Sequence, residues 1–250
     1  MRINKYLALC GLGSRRGVEE LILQGKVQIN GKIVKELSKD IQVENDTVVV
    51  EGRRLEVRDK HLYLMLHKPK GCVCTNKDEK GRKTVFDILD DKYESHRLFC
   101  VGRLDYETEG LLLLTTDGDM ANRLMHPQFE ISKTYVAKIE GEIANIDLDK
   151  IRTGVMIDGQ KTKKCRARVI GKEEKSVVDR DGNKSKKELS RIEVIISEGR
   201  NRQVRKMFES INREVVFLTR KAIGDIKLGG LERGRSRELR EQEIAYLKKV

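Results

Sequence analysis

The chain has 250 residues, of which 38% are hydrophobic and only 4% are aromatic, and it contains no tryptophan. This length fits one medium domain, or a small domain joined to a larger one. The 52 lysines and arginines exceed the 40 aspartates and glutamates, so the formal net charge is +12. Such a surplus favours polyanionic partners, because each neutralised phosphate releases a condensed counterion. A lysine-rich surface without such a partner remains the alternative on composition alone.

The sequence argues against a membrane protein, a disulfide-bonded protein and a metalloprotein. No run of residues approaches the roughly 20 apolar ones that a spanning helix needs, and the first residues contain no apolar signal core. Five cysteines, at positions 10, 72, 74, 100 and 165, follow no disulfide-like or CxxC pattern, which indicates a reducing compartment. The four histidines lack ligand spacing, so we expect no metal. We therefore expect a cytoplasmic protein, and the low aromatic content favours a monomer.

Residues 1–60 predict a small unit made of two helices and a hairpin, ending in a charged linker. The predicted elements are helices at 3–10 and 14–25, a hairpin at 27–33, a strand at 47–50 and the linker at 56–60. Ser14 is placed to cap the second helix, and Asn30-Gly31 suits a tight hairpin turn. So small a core is only marginally stable alone, so we expect an appendage to a larger domain.

Residues 61–250 change to strands with interspersed helices, and predict a second, larger domain. The predicted strands are 62–66, 72–75, 111–116, 133–139, 165–169, 192–196 and 215–218. The predicted helices are 84–89, 119–126, 204–211 and 241–249. A charged insert at 172–188 predicts an exposed hairpin tip. Frequent hairpins with interspersed helices predict an α+β fold, on a mainly antiparallel mixed sheet with flanking helices.

A polar loop with glycines at both ends, residues 102–110, lies between two apolar, strand-like runs. Its sequence is Gly-Arg-Leu-Asp-Tyr-Glu-Thr-Glu-Gly, which places Asp105 two residues after Arg103. Loops at the edges of buried strands often carry catalytic groups. Taken alone, the pattern supports only a candidate catalytic carboxylate, and an ordinary loop with a local ion pair is the alternative.

Together with the leucine run at 111–115, this loop resembles the signature of the ribosomal RNA pseudouridine synthases. Residues 1–50 resemble the alpha-L RNA-binding module that one branch of the family carries at its N-terminus. Other matching segments occur in the same order: Lys68-Pro69-Lys70-Gly71, Lys133-Thr134-Tyr135, residues 198–207 and residues 234–239. The sequence of residues 199–203 is more similar to the family members that modify large-subunit (23S) rRNA than to those that modify small-subunit rRNA. The resemblance covers nearly the whole chain and implies the pseudouridine synthase fold.

The resemblance also implies a reaction and its residues. It implies isomerisation of uridine to pseudouridine in ribosomal RNA, without a cofactor, and with Asp105 as the catalytic carboxylate. Arg205 would be the basic partner that keeps Asp105 ionised, while Arg103 would be an alternative partner or a phosphate ligand. Tyr135 would stack on the base and assist proton transfer, unless it is a core tyrosine. Leu218 would contact the base, unless it is simply core.

Basic residues outside this set are candidate RNA contacts, which give affinity without sequence information. In the larger domain they are Lys68, Lys70, Arg200, Arg202 and Lys206. In residues 1–60 they are Arg15, Arg16, Lys26 and Lys32. These residues would form a second RNA-binding site that is linked to the first by the chain. The expected partner is ribosomal RNA or a ribosomal subunit assembly intermediate.

Two other functions stay open. A non-catalytic, ribosome-associated RNA-binding protein would explain the charge, but would leave Asp105, Tyr135 and Arg205 as a coincidence. A nuclease would need clustered carboxylates for metal ions or a histidine pair, and the sequence suggests neither arrangement.

Overall fold

The computed structural model describes residues 1–57, 61–178 and 184–249, which divide into two compact units. Unit 1 comprises Met1–Leu62 with Ser95–Arg97, and unit 2 comprises Tyr63–Glu94 with Leu98–Val250. The predicted linker at 56–60 falls mostly outside the described residues. In the part of the chain that is described, no helix is long and apolar enough to cross a membrane.

Unit 1 consists of two short helices and a small antiparallel sheet. The elements are α1 (Ile3–Leu9), α2 (Glu19–Leu23), β1 (Val27–Ile29), β2 (Lys32–Ile33), β3 (Val48–Val50) and β4 (Arg53–Arg54), with the strands in the order β2-β1-β3-β4. Asn30 and Gly31 both have positive φ, of 51° and 78°, as the predicted tight turn requires. Ser14 closes a turn onto the N–H of Gly17 at 2.8 Å, so α2 begins only at Glu19.

Unit 2 is built on one large sheet. Its strands are β5 (Tyr63–Lys68), β6 (Phe99–Val101), β7 (Thr108–Thr115), β8 (Lys133–Glu140), β9 (Met156–Ile157), β10 (Gln160–Lys161), β11 (Arg166–Val178), β12 (Lys184–Ile196), β13 (Val215–Ile223), β14 (Ile226–Lys227) and β15 (Ser236–Glu238). Its α-helices are α3 (Gly118–Met125), α4 (Asn145–Thr153), α5 (Gln203–Glu209) and α6 (Glu241–Lys249), and 3-10 helices lie at Asp91–Tyr93 and Pro127–Phe129. The strands β9 and β10 form a separate hairpin.

The main sheet has the order β11-β12-β8-β13-β7-β5-β15, with β14 attached to β13 and β6 to β7. Among the named strands of the described chain, β13 and β7 are the one parallel pair, and the others are antiparallel. All eight residues of β7 are buried, so this strand lies in the core. The predicted α+β fold on a mainly antiparallel mixed sheet is confirmed.

Two predicted elements of unit 2 are wrong. The strand at 72–75 is only a single parallel bridge between Val73 and Thr84. The helix at 84–89 is a turn, in which the Thr84 hydroxyl accepts from the N–H groups of Phe86 and Asp87. The Asp87 carboxylate accepts from Thr84 N–H in return, at 2.7 Å. This reciprocal pair resembles a helix cap, but no helix follows it.

The charged insert at 172–188 is mostly regular structure. It continues the long strands β11 and β12, and only residues 179–183 lie outside the described part. Lys172 forms ion pairs with Glu142 and Glu188, and Lys186 pairs with Glu174 at 2.7 Å. These two lysines, whose side chains the structure describes, are therefore neutralised by glutamates of the hairpin and by Glu142.

Candidate active site

The loop that carries Asp105 connects β6 to β7 in the middle of unit 2. Its far end is fixed by a close approach of two strands: a Cβ at Gly110 would lie 2.2 Å from the carbonyl oxygen of Arg220. These two residues are directly paired in the parallel β7–β13 ladder. Glycine is therefore required at position 110, and it lets the loop leave the sheet beside β13.

A buried lysine binds the backbone of this loop. Lys68, at the end of β5, is 0% exposed, and its ammonium donates to the carbonyls of Asp105 at 3.1 Å and Thr108 at 2.9 Å. It also donates to the carbonyl of Pro69 at 3.0 Å. Burial lowers the pKa of Lys68, because the interior disfavours the charged form. The predicted phosphate contact of Lys68 is wrong, because its ammonium is inside the protein.

Every backbone carbonyl from residue 104 to residue 108 accepts a hydrogen bond from the surrounding structure. Lys68 also donates to the carbonyl of Tyr106, at 3.5 Å. The other donors are the Cys74 thiol to Leu104 at 3.5 Å, Gly71 N–H to Tyr106 at 3.0 Å and Arg205 to Glu107 at 3.1 Å. The N–H of Thr108 also donates to the Asp105 carbonyl at 3.0 Å. The main chain on both sides of the Asp105 side chain is thus held in one conformation.

Asp105 and Tyr135 line the same cavity, of about 60 Å³. The floor is contributed by neighbouring strands: Tyr135 on β8 is paired with Arg220 on β13, and Leu218 on β13 is paired with Thr108 on β7. Tyr135 is 8% exposed and Leu218 is 3% exposed. The cavity adjoins a larger cleft of about 1110 Å³, which Asp105 and Tyr135 also line. The structure thus brings together three residues that the sequence had selected, a carboxylate, an aromatic ring and an apolar side chain.

Arg205 lies close to the loop but does not form the predicted ion pair. No nitrogen of Arg205 lies within 4.0 Å of the Asp105 carboxylate, although both residues are in the described part of the chain. Its guanidinium instead donates to the carbonyls of Val215 at 2.7 Å and Glu107 at 3.1 Å. Burial and Arg202 lower the pKa of Arg205, whereas the charges of Asp105 and Glu107 raise it. Arg205 therefore holds the backbone of the loop and acts on Asp105 only through space.

Three arginines line the mouth of the cavity. Arg103 is exposed, and within the described residues its side chain has no hydrogen-bond or ion-pair partner. Arg200 donates to the carbonyls of the β9–β10 hairpin at 2.9 and 3.2 Å, and it pairs with Glu198 at 3.2 Å. Arg202 precedes α5 with a positive φ of 50° and pairs loosely with Glu209 at 3.8 Å. Of the three arginines, Arg103 is thus the one without an ion pair among the described residues.

The remaining predicted RNA contacts are not among the residues that line the cavity. Lys206 pairs with Asp158 at 2.6 Å, and the Lys70 ammonium lies 4.1 Å from the centre of the Phe217 ring. In unit 1, Lys26 pairs with Glu51 at 2.8 Å. Of the other predicted contacts in unit 1, Arg15, Arg16 and Lys32 are exposed, and their side chains have no hydrogen-bond or ion-pair partner among the described residues.

Three polar residues at the site were not singled out from the sequence. The Thr108 hydroxyl is buried without a partner among the described residues, and Thr108 lines the cavity. Lys133 and Arg220 line the larger cleft, and burial lowers the pKa of Lys133. Lys133 lies two residues before Tyr135, and Arg220 two residues after Leu218. The period of two along a strand would have placed both on the same sheet face as the selected residues.

Comparison with known proteins assigns the family. Residues 62–210 match the model of the RNA pseudouridylate synthases, and residues 1–48 match the S4 domain. The chain belongs to the RNA pseudouridine synthases. It is 42% identical over 247 residues to the ribosomal large subunit pseudouridine synthase B of Bacillus subtilis (strain 168), covering 99% of this chain and 95% of that protein.

Two further relatives agree with this assignment. An RNA pseudouridine synthase of Aquifex aeolicus (strain VF5) is 38% identical over 252 residues, covering 100% of this chain and 94% of that one. A crystal structure of a pseudouridylate synthase superposes with a TM-score of 0.67 at 32% identity, covering 99% of each chain. The predicted enzyme class is confirmed. The S4 match and the synthase match follow each other along the chain, at residues 1–48 and 62–210.

Proposed function

We propose that this synthase converts a uridine of ribosomal RNA, most specifically of large-subunit (23S) rRNA, into pseudouridine. The name of the Bacillus subtilis relative supports the large-subunit target, because that relative aligns over nearly its whole length. The observation that carries the proposal is the cavity shared by Asp105 and Tyr135, which opens into a wide cleft. A uridine within folded RNA must leave its stack to react, and such a cavity is where an extruded base would bind.

The residues divide the chemistry between them. The reaction breaks the bond from ribose to a ring nitrogen, turns the base, and rejoins it through a ring carbon. Nothing is oxidised and no group is donated, so the reaction is balanced without a cofactor. Asp105 supplies the carboxylate, either as a nucleophile or as a base. Tyr135 stacks on the base and assists the transfer of the ring-carbon proton, while Leu218 gives an apolar contact.

Arg205 has an indirect part in this proposal. It holds the carbonyl of Glu107, two residues after Asp105, and so helps to fix the main chain next to the carboxylate. Asp105 itself has no cationic partner within 4.0 Å among the described residues. Its carboxylate is therefore available to the substrate, rather than being neutralised by a permanent ion pair.

Phosphate binding is assigned to cations that are exposed or half-buried. At the site they are Arg103, Arg200 and Arg202, with Lys70 and Lys206 farther out; in unit 1 they are Arg15, Arg16, Lys26 and Lys32. We propose ribosomal RNA or a subunit assembly intermediate as the partner, with the enzyme acting as a cytoplasmic monomer. The S4 domain supports an RNA substrate.

The catalytic assignment is tested with Asp105→Asn. Joining the base through C5 releases the hydrogen of that carbon, so tritium release from RNA labelled at uridine C5 measures turnover. We expect Asp105→Asn to abolish tritium release while the RNA dissociation constant stays within about tenfold, or ~1.4 kcal/mol. Asp91→Asn makes the same chemical change at an exposed position and should retain full turnover. Turnover by Asp105→Asn would remove Asp105 from the mechanism.

The target is tested by mapping pseudouridines in rRNA from cells that lack this protein, using carbodiimide labelling and primer extension. A labelled pseudouridine stops primer extension. We expect one such stop in large-subunit rRNA to disappear from these cells. It should return when the wild-type protein is expressed in them, but not when Asp105→Asn is expressed. A lost stop in small-subunit rRNA would move the target there. An unchanged map would favour the non-catalytic ribosome-associated role.

A further inference from the structure

Two thiols lie directly beneath the catalytic loop. The Cys74 thiol donates to the carbonyl of Leu104 at 3.5 Å and accepts from the N–H of the same residue at 3.4 Å. Cys100, on β6, is the cysteine whose thiol interacts with that of Cys74. Both cysteines are half-buried, and both line the large cleft that Asp105 also lines. The two thiols thus interact with each other and line a cleft through which small solutes can reach them.

Two buried cations flank this pair. Lys68 is 0% exposed, and its charge acts on Cys74. Arg220 is 2% exposed, and its charge acts on both cysteines. Its Nε donates to the carbonyl of Leu111 at 2.8 Å, but one of its terminal nitrogens is buried without a partner among the described residues. An unpaired buried guanidinium requires an explanation, and a neighbouring thiolate would supply its missing negative charge.

The surroundings of Cys74 differ from those of the other four cysteines. Hydrogen bonds from Cys100 and from the Leu104 backbone, with the charges of Lys68 and Arg220, lower the pKa of Cys74 against the opposing effect of burial. Burial raises the pKa of Cys10, Cys72 and Cys165, and the bond to Cys74 raises that of Cys100. A thiolate near cationic groups in a partly open position is the reactive form of cysteine.

We propose that Cys74 and Cys100 form a peroxide-reactive dithiol, which a hydroperoxide oxidises to a disulfide. In the first step the sulfur of Cys74 attacks a peroxide oxygen: a sulfur–oxygen bond forms, the oxygen–oxygen bond breaks, and the other oxygen leaves as water or alcohol. In the second step the sulfur of Cys100 attacks that of Cys74, the sulfur–oxygen bond breaks, and water leaves. Two thiols are oxidised, and the peroxide takes up their two electrons and protons.

Oxidation would disturb the Asp105 loop, a consequence that rests on the proposed function. A disulfide needs a sulfur–sulfur distance of about 2.05 Å, so Cys74 must move toward Cys100. A disulfide sulfur also has no hydrogen to donate to the carbonyl of Leu104, the residue before Asp105. The loop would lose the hydrogen bond that the Cys74 thiol donates to it just before Asp105, and catalysis would slow.

The first test measures the chemistry alone, on the full-length reduced protein. After brief exposure to hydrogen peroxide at low molar excess and blocking of free thiols, peptide mass spectrometry should find Cys74 linked to Cys100. Under limiting iodoacetamide, Cys74 should be alkylated at least about tenfold faster than Cys165. Cys100→Ser should leave a sulfenic acid on Cys74 that dimedone traps, and Cys165→Ser should behave like the wild type. No link, or equal alkylation of the two cysteines, would overturn the proposal.

The second test measures tritium release before and after peroxide. We expect at least a tenfold loss of turnover in the wild type and in Cys165→Ser, with recovery under dithiothreitol. Undiminished turnover by protein that carries the Cys74–Cys100 link would overturn the effect on the loop. Absence of turnover in the untreated enzyme would instead contradict the proposed function, while the mass-spectrometric result would still decide the dithiol.

Discussion

Two buried cations beside Asp105 bind main-chain oxygens rather than its carboxylate. Lys68 spans the loop from Asp105 to Thr108, and Arg205 reaches Glu107 in between. Each cation is withdrawn from water, which is costly unless hydrogen bonds replace its hydration. The carbonyl groups supply those bonds and at the same time fix the loop. The same hydrogen bonds therefore satisfy the buried cations and hold the backbone of the loop.

Replacing Lys68 tests this role at the residue scale. Lys68→Met keeps the length and apolar stem of the side chain but leaves its carbonyl partners without their donor. We expect a loss of stability of about 2–3 kcal/mol, since a buried acceptor without a partner costs about 1–3 kcal/mol, and a fall in turnover larger than the fall in RNA affinity. Urea unfolding followed by circular dichroism, together with tritium release, measures both effects.

Lys70→Met is the matched control, because the same substitution two residues later removes an ammonium that faces an aromatic ring. A cation–π contact of that kind contributes about 0.5–1 kcal/mol, so the control should be nearly neutral. Equal stabilities for the two variants would show that the buried ammonium does not hold the loop.

At the scale of elements, the loop depends on how closely β7 and β13 approach each other. Gly110→Ala would place a Cβ 2.2 Å from the Arg220 carbonyl oxygen and 2.6 Å from its nitrogen. These neighbours are backbone atoms of a central strand, and moving them would cost much of the free energy of folding. We expect a loss of stability of more than about 3 kcal/mol, at the upper end for single substitutions, seen as insoluble expression or a steep fall in melting temperature.

Gly102→Ala is the control at the other end of the same loop. Gly102 also has a positive φ, of 76°, but a Cβ there would meet nothing within 4 Å. Only backbone strain is then expected, on the order of 1 kcal/mol. If both variants were equally stable, the close approach of the two strands would not be what selects glycine at position 110.

Some of these elements could be predicted from the sequence, and others could not. The buried strand β7 and the Asn30-Gly31 turn follow from local patterns, apolar residues in a run and two residues that tolerate positive φ. The turn at Thr84 has the sequence pattern of a helix start, because the side-chain hydrogen bonds that cap a helix also close an isolated turn. The roles of Lys68 and Arg205 could not be predicted, because their acceptors are backbone carbonyls up to 98 residues away. Sequence patterns indicate which side chains are polar, but not which main-chain atoms they meet.

At the scale of the whole molecule, the net charge of +12 is unevenly available. On the β11–β12 hairpin, Lys172 and Lys186 are paired with glutamates. In unit 1, Arg15 and Arg16 are exposed and have no partner among the described side chains. A phosphate can displace water from a free guanidinium more easily than it can displace a carboxylate from an ion pair. RNA affinity should therefore depend on which cations are free, and not on net charge alone.

Two double variants of equal charge separate these possibilities. Arg15→Gln with Arg16→Gln, and Lys172→Gln with Lys186→Gln, each remove two positive charges from the full chain. If each free arginine contacts one phosphate, the first variant should reduce the slope of log affinity against log salt by about 1.4–1.8. The second should leave the slope almost unchanged. Fluorescence anisotropy with a labelled rRNA fragment over a range of salt concentrations measures both slopes. Equal reductions would mean that RNA senses only the overall charge, and a larger reduction in the hairpin variant would place the RNA on β11 and β12.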